Sequence, residues 1–228
     1  MGELTAGAAR ALIGLPATGS DDPAVLVLGS FPGTVSLARR EYYAHPRNRL
    51  WSVLARIYDC GDLDPGSAYP ARISALRRNR IALWDVLASC ERADALDASI
   101  RPDTAVANDF DEFFARHPAL CTVLLNGGAA ATWFSRLVLH QDVWADCPIT
   151  VIPLPSTSPA NARRSLDDLA RQWRSAALGD ILMETRRAPS RWPRLPASPP
   201  QTPPSRLSPP GNRARPARST RGHGDPSS

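Results

Sequence analysis

The sequence contains no lysine, so all 27 of its Lys/Arg positions are arginine. No apolar run approaches the ~18–20 residues that a membrane-spanning helix needs, and no such helix is expected. The first residues, MGELTAGAARALIGLP, carry an early acid and no long apolar stretch, so they do not read as a secretory signal. The four cysteines, Cys60, Cys90, Cys121 and Cys147, stand far apart, and none forms a CxxC pair. That spacing argues against a zinc or iron–sulfur site. The expectation is free, mostly buried thiols in a reducing cytoplasm. No GxGxxG or GxxxxGK[ST] loop follows the first buried strand, which argues against an ordinary nucleotide-binding α/β domain.

The net charge of +5 is misleading when taken over the whole chain. Residues 186–228 hold nine arginines against one acid, Asp225, and so carry +8, which leaves −3 for residues 1–185. The same segment holds eleven of the 23 prolines and almost no large apolar residues. Such a composition cannot bury enough surface to offset the entropy of ordering. The reading is one domain over 1–185 and a disordered Arg/Pro/Ser-rich tail over 186–228. The tail is either an electrostatic arm for phosphates or inert.

What the sequence does contain is a series of short apolar runs alternating with helical stripes. Residues 4–15 read as a short helix. AVLVLG (24–29) reads as a strand buried on both faces. LWSVLARIYDC (50–60) has a helical apolar stripe, with Gly61 as its stop. Residues 71–78 form a short helix. IALWDVL (81–87) is a second strand, and 89–109 is polar and irregular. FDEFFARHP (110–118) is a helix, CTVLLNG (121–127) a third strand, and 128–140 the helix after it. ITVIPLPSTSP (149–159) is a fourth strand running into a Pro/Ser/Thr loop, and 165–185 is a closing helix. Alternation of this kind argues for βαβ units and a mainly parallel sheet with helices on both faces. The strands end at Ser30, Asp85, Asn126 and Ser156, and the ends of parallel strands share one edge of a sheet, so these four exits should converge.

The loop after the first buried strand carries more chemistry than a turn requires: Tyr42, Tyr43, His45, Arg47, Asn48 and Trp51. Asn48 stands where a helix begins, a place that favours asparagine as a cap. Tyr42 and Tyr43 either stack on a ligand or brace the loop, and Trp51 fits the core. Asp85 either meets a ligand or binds loop backbone. Asn126 before Gly127 also suits a turn.

Five of these stretches, in this order, resemble the uracil-DNA glycosylase superfamily and, within it, the hypoxanthine-DNA glycosylase (DNA-deoxyinosine glycosylase) family. They are GSFPG (29–33), YYAHPRNRLW (42–51), LWDVL (83–87), LLNG (124–127) and LPSTSPAN (154–161). AHPRNRLW also resembles the mismatch-specific uracil glycosylases. The resemblance covers about 24–175. It implies a three-layer α/β/α sandwich around a four-stranded, mainly parallel sheet. It also implies monofunctional hydrolysis of the N-glycosidic bond of a deaminated base in double- or single-stranded DNA, without metal or cofactor, by a cytoplasmic monomer. Such an enzyme must extrude the nucleotide into a pocket and stabilise a sugar cation and a departing base anion with fixed donors and dipoles.

The resemblance assigns residues one at a time. Phe31 stands where many members carry Asn or Asp, so it is pocket wall and not a catalytic polar group. The catalytic role passes to Asn48. Tyr43 and His45 are base- or substrate-contacting residues, and Asp85 and Asn126 meet the base edge or sugar. Leu154 stands where the uracil enzymes have a histidine, which favours a base other than uracil. Ser156, Thr157 and Ser158 bind phosphate. Asn161 lies in the part that enters the minor groove, and Arg163 and Arg164 add phosphate contacts. The rival readings are a uracil/mismatch- or xanthine-specific glycosylase of the same fold, and a catalytically silent nucleic-acid-binding module.

Overall fold

The most apolar stretch of the sequence becomes the centre of the sheet. The computed structural model describes residues 11–94, 96–139, 149–161 and 163–184. In chain order the elements are strands β1 (Leu12–Ile13), β2 (Thr18–Gly19) and β3 (Val25–Gly29), then helices α1 (Thr34–Arg39), α2 (Leu50–Tyr58) and α3 (Tyr69–Arg78). Strands β4 (Ile81–Asp85), β5 (Leu87–Cys90) and β6 (Val106–Ala107) follow, then helix α4 (Phe110–Arg116). Strand β7 (Thr122–Asn126), helix α5 (Gly128–Leu137), strand β8 (Thr150–Leu154) and helix α6 (Leu166–Glu184) complete the fold.

The main sheet runs β2-β4-β3-β7-β8. Its four long strands are parallel, and the two-residue β2 pairs antiparallel along the outside of β4. The expected four-stranded parallel sheet is therefore present, with one short edge strand added. Every residue of β3 is buried, and its side chains alternate between two cores, as strand geometry requires. Leu26 and Leu28 pack with Phe110, Phe113, Phe114 and Phe134 from α4 and α5. Val25 and Val27 pack with Leu54, Ile57, Leu76 and Trp173 from α2, α3 and α6. Helices thus cover both faces. Each fully buried Leu or Val contributes about 1.5–3 kcal/mol, so a charge at Leu26 or Val27 would break the layer it faces.

Three sequence expectations are corrected. Leu12–Ile13, expected in a helix over 4–15, is a strand that pairs with Cys90 and Ser89 of β5. A helix this short is marginal in water, whereas β5 offers open backbone groups, and Gly14 N–H also donates to Ala88 O at 2.8 Å. Residues 1–10 lie outside the described residues. The strand expected over 81–87 breaks at Val86. There Val86 and Leu87 N–H donate to the carbonyls of Gly29 and Ser30, and β5 leaves for a second sheet, ordered β1-β5-β6. The stretch 89–109, expected to be irregular, includes β6 and the end of β5. Strands this short hold too few residues to show an alternating pattern.

Helix α2 buries Leu50, Trp51, Val53, Leu54 and Ile57, as its stripe predicts. It stops at Asp59, which takes a left-handed backbone (φ 46°) of the kind Asp tolerates, before the expected Gly61. Cys60 and Cys90 are free thiols, and Cys147 lies outside the described residues. So do residue 185 and the 186–228 tail, with the domain boundary between them. Among the described residues no helix is long and apolar enough to cross a membrane, and no group of three or more His, Cys, Asp or Glu side chains could hold a metal ion.

Candidate active site at the strand ends

The parallel strands end in register. Gly29 lies opposite Asp85, and Asn126 opposite Leu154. The four exits therefore open on one edge of the sheet, where α/β folds place ligands.

Thr157 is the hub of that edge. It is fully buried, and its polar groups are all committed. Its N–H donates to Asn126 Oδ1 at 2.9 Å, and its hydroxyl accepts from Asn126 Nδ2 at 2.9 Å. The hydroxyl in turn donates to Asn48 Oδ1 at 3.1 Å, and its carbonyl accepts from Arg49 N–H at 3.0 Å. Thr157, expected to contact phosphate, here has its N–H and hydroxyl engaged inside the site, where it brackets Asn48 and Asn126. Gly127, at φ 104°, makes room for this turn, since a Cβ there would lie 2.7 Å from Ser156 Cβ.

Asn48 has two attachments through one atom. Oδ1 accepts from Thr157 and from Leu50 N–H at 2.9 Å. A backbone N–H must meet oxygen, so the amide orientation is forced. The N-cap geometry itself falls on Arg49, but Asn48 still ties down the start of α2. Both lone pairs of the carbonyl are taken, and Nδ2 has no hydrogen bond among the described residues. Asn48 therefore offers a site ligand a fixed neutral donor. Its carbonyl is not free to orient a water. Asn126, gripping Thr157 with both ends, sits beside the Tyr43 hydroxyl.

The two tyrosines separate. Tyr42 is a brace: it is 3% exposed, its hydroxyl donates to Leu15 O at 3.0 Å, and Trp51 Nε1 donates to its carbonyl at 3.2 Å. Trp51 is in the core as expected. Tyr43 has a left-handed backbone, φ 53°, and its hydroxyl is buried with no hydrogen-bond partner among the described residues. Burial, and next the charge of Asp85, push that hydroxyl far above its ordinary pKa. His45 accepts Arg47 N–H on Nδ1 at 3.1 Å, so its neutral ring carries the proton on Nε2 and presents a donor.

Asp85 is 4% exposed, and its Oδ2 has no hydrogen-bond partner among the described residues. Burial first, then Asp97, push its carboxyl up to about 8, against the pull of Arg92. At neutral pH it is mostly a neutral acid, with a donor as well as acceptors. It rests on Gly29: a Cβ there would stand 2.3 Å from Asp85 Oδ1 and 3.2 Å from the Tyr43 hydroxyl. Glycine is required here by space, not by backbone angle.

Phe31 stands further back than expected. Its ring is 6% exposed, and the Arg92 guanidinium lies over it at 5.1 Å. It backs the wall of the site and has no open face for a base. Ser156 and Ser158 are half-buried in the loop after β8, and Ser158 N–H donates to Ser156 Oγ at 3.1 Å. Asn161 turns its amide inward to Ser156 O at 2.8 Å, which leaves Ala160 at the exposed tip, with Arg163 and Arg164 exposed beyond it.

Four residues of the site were missed in the sequence. Arg49 donates to Arg164 O at 2.5 Å and Asn161 O at 2.6 Å, and so pins the tip loop to the start of α2. Ser30 donates to Asp97 Oδ1 at 2.6 Å. Arg92 donates to Pro32 O at 2.8 Å. Ser30 was visible only as a strand exit, and Arg92 and Asp97 lie in a stretch with no pattern. A cavity of about 470 Å³ opens elsewhere, beside β2, and is lined by Arg77, Trp84, Phe113 and His117 among others.

Known proteins place this geometry. The family model described as the uracil DNA glycosylase superfamily matches residues 16–180. A hypoxanthine DNA glycosylase of Methanosarcina barkeri is 36% identical over 114 residues, which is 50% of this chain and 70% of the relative. One of Methanosarcina acetivorans is 29% identical over 152 residues, 67% of this chain and 89% of the relative. The solution NMR structure of a proposed uracil DNA glycosylase from Methanosarcina acetivorans superposes with a TM-score of 0.59 at 26% identity, covering 74% of this chain and 99% of that one. With the family model spanning the sheet, both helical layers and every strand-end residue described above, the chain belongs to the uracil DNA glycosylase superfamily.

Proposed function

We propose that the protein is a monofunctional DNA glycosylase that hydrolyses the N-glycosidic bond of hypoxanthine in DNA, acting in base excision repair. The observation that carries this reading is the pairing of a fixed neutral donor, Asn48 Nδ2, with a buried, mostly neutral Asp85 at one sheet edge. Hypoxanthine as the base is supported by the two relatives that bear that name.

In the reaction the C1′–N9 bond breaks and its electron pair leaves with the base. A water oxygen bonds to C1′, and the water's proton is taken up by the base or solvent. Asn48 cannot be a general base, because an amide does not titrate and its oxygen is occupied. It serves as a donor to the water or to the base. Asp85 accepts the N1–H of the base through Oδ2. As a neutral acid it adds no negative charge beside the departing anion. A lyase step through a lysine Schiff base is closed to a chain without lysine.

Arg163 and Arg164, with Ser156 and Ser158, meet phosphates of single- or double-stranded DNA. The Pro159–Asn161 turn enters the minor groove, presenting Ala160. The enzyme works as a cytoplasmic monomer. The free thiols of Cys60 and Cys90 suit a reducing compartment.

Labelled duplexes carrying hypoxanthine, uracil or xanthine, treated with the protein and then with alkali, test this. Cleavage greatest at hypoxanthine is expected. Absence of abasic sites on all three would overturn the reading. Uracil presents the same N–H and C=O edge through N3–H and O4, so cleavage greatest at uracil would change the base and keep the enzyme.

A further inference from the structure

Among the described residues, the side-chain polar atoms buried without a hydrogen-bond partner include Asp85 Oδ2, Tyr43 OH, and Nε and Nη1 of Arg92, around the ends of β3 and β4. Native folds pair nearly all such atoms, because each unpaired one loses its hydration without compensation. Their groups sit close together. Tyr43 OH and the Asp85 carboxylate both lie against Gly29. Arg92 is over Phe31 and bonded to Pro32 O, two and three residues on, and its charge acts on Asp85. Unsatisfied donors and acceptors gathered at a strand-end site are what a polar ligand edge would complete.

We propose that Arg92 reads the oxo group of the extruded base and carries its negative charge as the glycosidic bond breaks. The proposal rests on the glycosylase reading above and names the residue that sets its base class. A deaminated base presents C=O beside N–H: O6 and N1–H in hypoxanthine, O4 and N3–H in uracil. Adenine and cytosine present the opposite pair, an amino donor beside a ring-nitrogen acceptor. Arginine can donate and never accept. With its charge acting on Asp85, whose oxygen takes the N–H, it matches the first pattern and opposes the second. The bond to Pro32 O and the stack on Phe31 use one edge and one face of the guanidinium. They hold the planar fork still, with Nε and Nη1 left over.

The same contact favours catalysis. As C1′–N9 breaks, the electron pair delocalises onto O6, so the cation binds the transition state more strongly than the substrate.

The alternative role for Arg92 is a strut between the 30–33 loop and the 91–100 segment. A cycle between the residue and the atom it is said to read separates the two. Single-turnover release of hypoxanthine is compared with release of unsubstituted purine, which lacks both O6 and the N1 proton, by wild type and Arg92→Met. Thermal unfolding is followed in parallel. If Arg92 reads O6, the variant loses about 10- to 100-fold on hypoxanthine and changes little on purine. An equal loss on both bases overturns the inference and leaves Arg92 a strut.

Should Arg92→Met fail to fold, Arg92→Lys and Arg92→Gln serve instead. A hypoxanthine-to-purine ratio kept by Lys and lost by Gln supports the charge, and equal ratios overturn it. A wild type that releases neither base defeats the glycosylase reading itself, which is a different result from an equal loss.

Discussion

The hydroxyl of Thr157 donates to the side-chain oxygen of Asn48 at 3.1 Å, joining two residues 109 positions apart in the chain. This bond, with that from Leu50 N–H, turns the Asn48 amide so that only its NH₂ is available. A residue that by itself looks like a helix cap is thereby also an aimed donor.

Asn48→Asp and Asn48→Ala should part these two roles. Aspartate keeps an oxygen for Leu50 and Thr157 and loses the NH₂ donor. Unfolding temperature should stay near wild type while single-turnover base release falls by about 100-fold or more. Alanine should lose the activity and also about 1–2 kcal/mol of stability. Full activity in Asn48→Asp would remove the donor role.

The raised Asp85 pKa has a definite sign. The folded protein holds this proton up to about pH 8, whereas an unfolded aspartate releases it near 4. The folded state therefore binds more protons between these values, and stability falls as pH rises through that window. The neutral carboxyl's contribution is complete below about pH 4 and lost by about pH 8. Asp85→Asn should flatten this slope in chemical unfolding between pH 5 and 9, and should be relatively most stabilising at the alkaline end. An unchanged slope would show that Asp85 is not the group responsible.

Gly29→Ala should be destabilising for reasons of space alone. The added methyl would meet the Asp85 carboxylate at 2.3 Å, and Asp85 is held in place by the strand pairing of Gly29 with it. A loss of about 1–3 kcal/mol is expected, together with loss of base release. Unfolding midpoints of the two proteins, and their cleavage of a hypoxanthine duplex, measure both.

Arg49→Ala should loosen the tip loop without touching the reacting atoms. Its two bonds to the carbonyls of Asn161 and Arg164 disappear, so the loop proposed to enter DNA is less well placed. Affinity for a hypoxanthine duplex is expected to fall by about tenfold, with a smaller effect on release from the saturated complex. Arg49→Lys cannot span both carbonyls and should recover only part of the loss. An unchanged dissociation constant for Arg49→Ala would rule this role out.

The parallel sheet was legible because Val25–Gly29, Ile81–Asp85 and Thr122–Asn126 are buried runs that need no partner to be recognised. The converging exits followed from parallelism alone. The second sheet was not legible. Leu12–Ile13 and Val106–Ala107 are two residues each, and nothing in a two-residue strand shows a period. Phe31 and Thr157 lay in recognisable motifs, yet their depth depended on what came to rest against them: Arg92 on the ring, and Asn126, Asn48 and Arg49 around the threonine.

The sequence by itself determined the superfamily, the succession of the four main strands along the chain and most of the polar residues that arrive at one edge. These depend on local apolar runs and on motifs written in consecutive residues. Only the tertiary structure decided which atom of each residue remains free. Hydrogen bonds to Thr157, 109 positions from Asn48 and 31 from Asn126, help consume Asn48's oxygen and occupy both ends of Asn126. Burial keeps Asp85 mostly neutral, and stacking on Phe31 fixes the unpaired N–H groups of Arg92. Those outcomes depend on distance and desolvation, which no local pattern encodes.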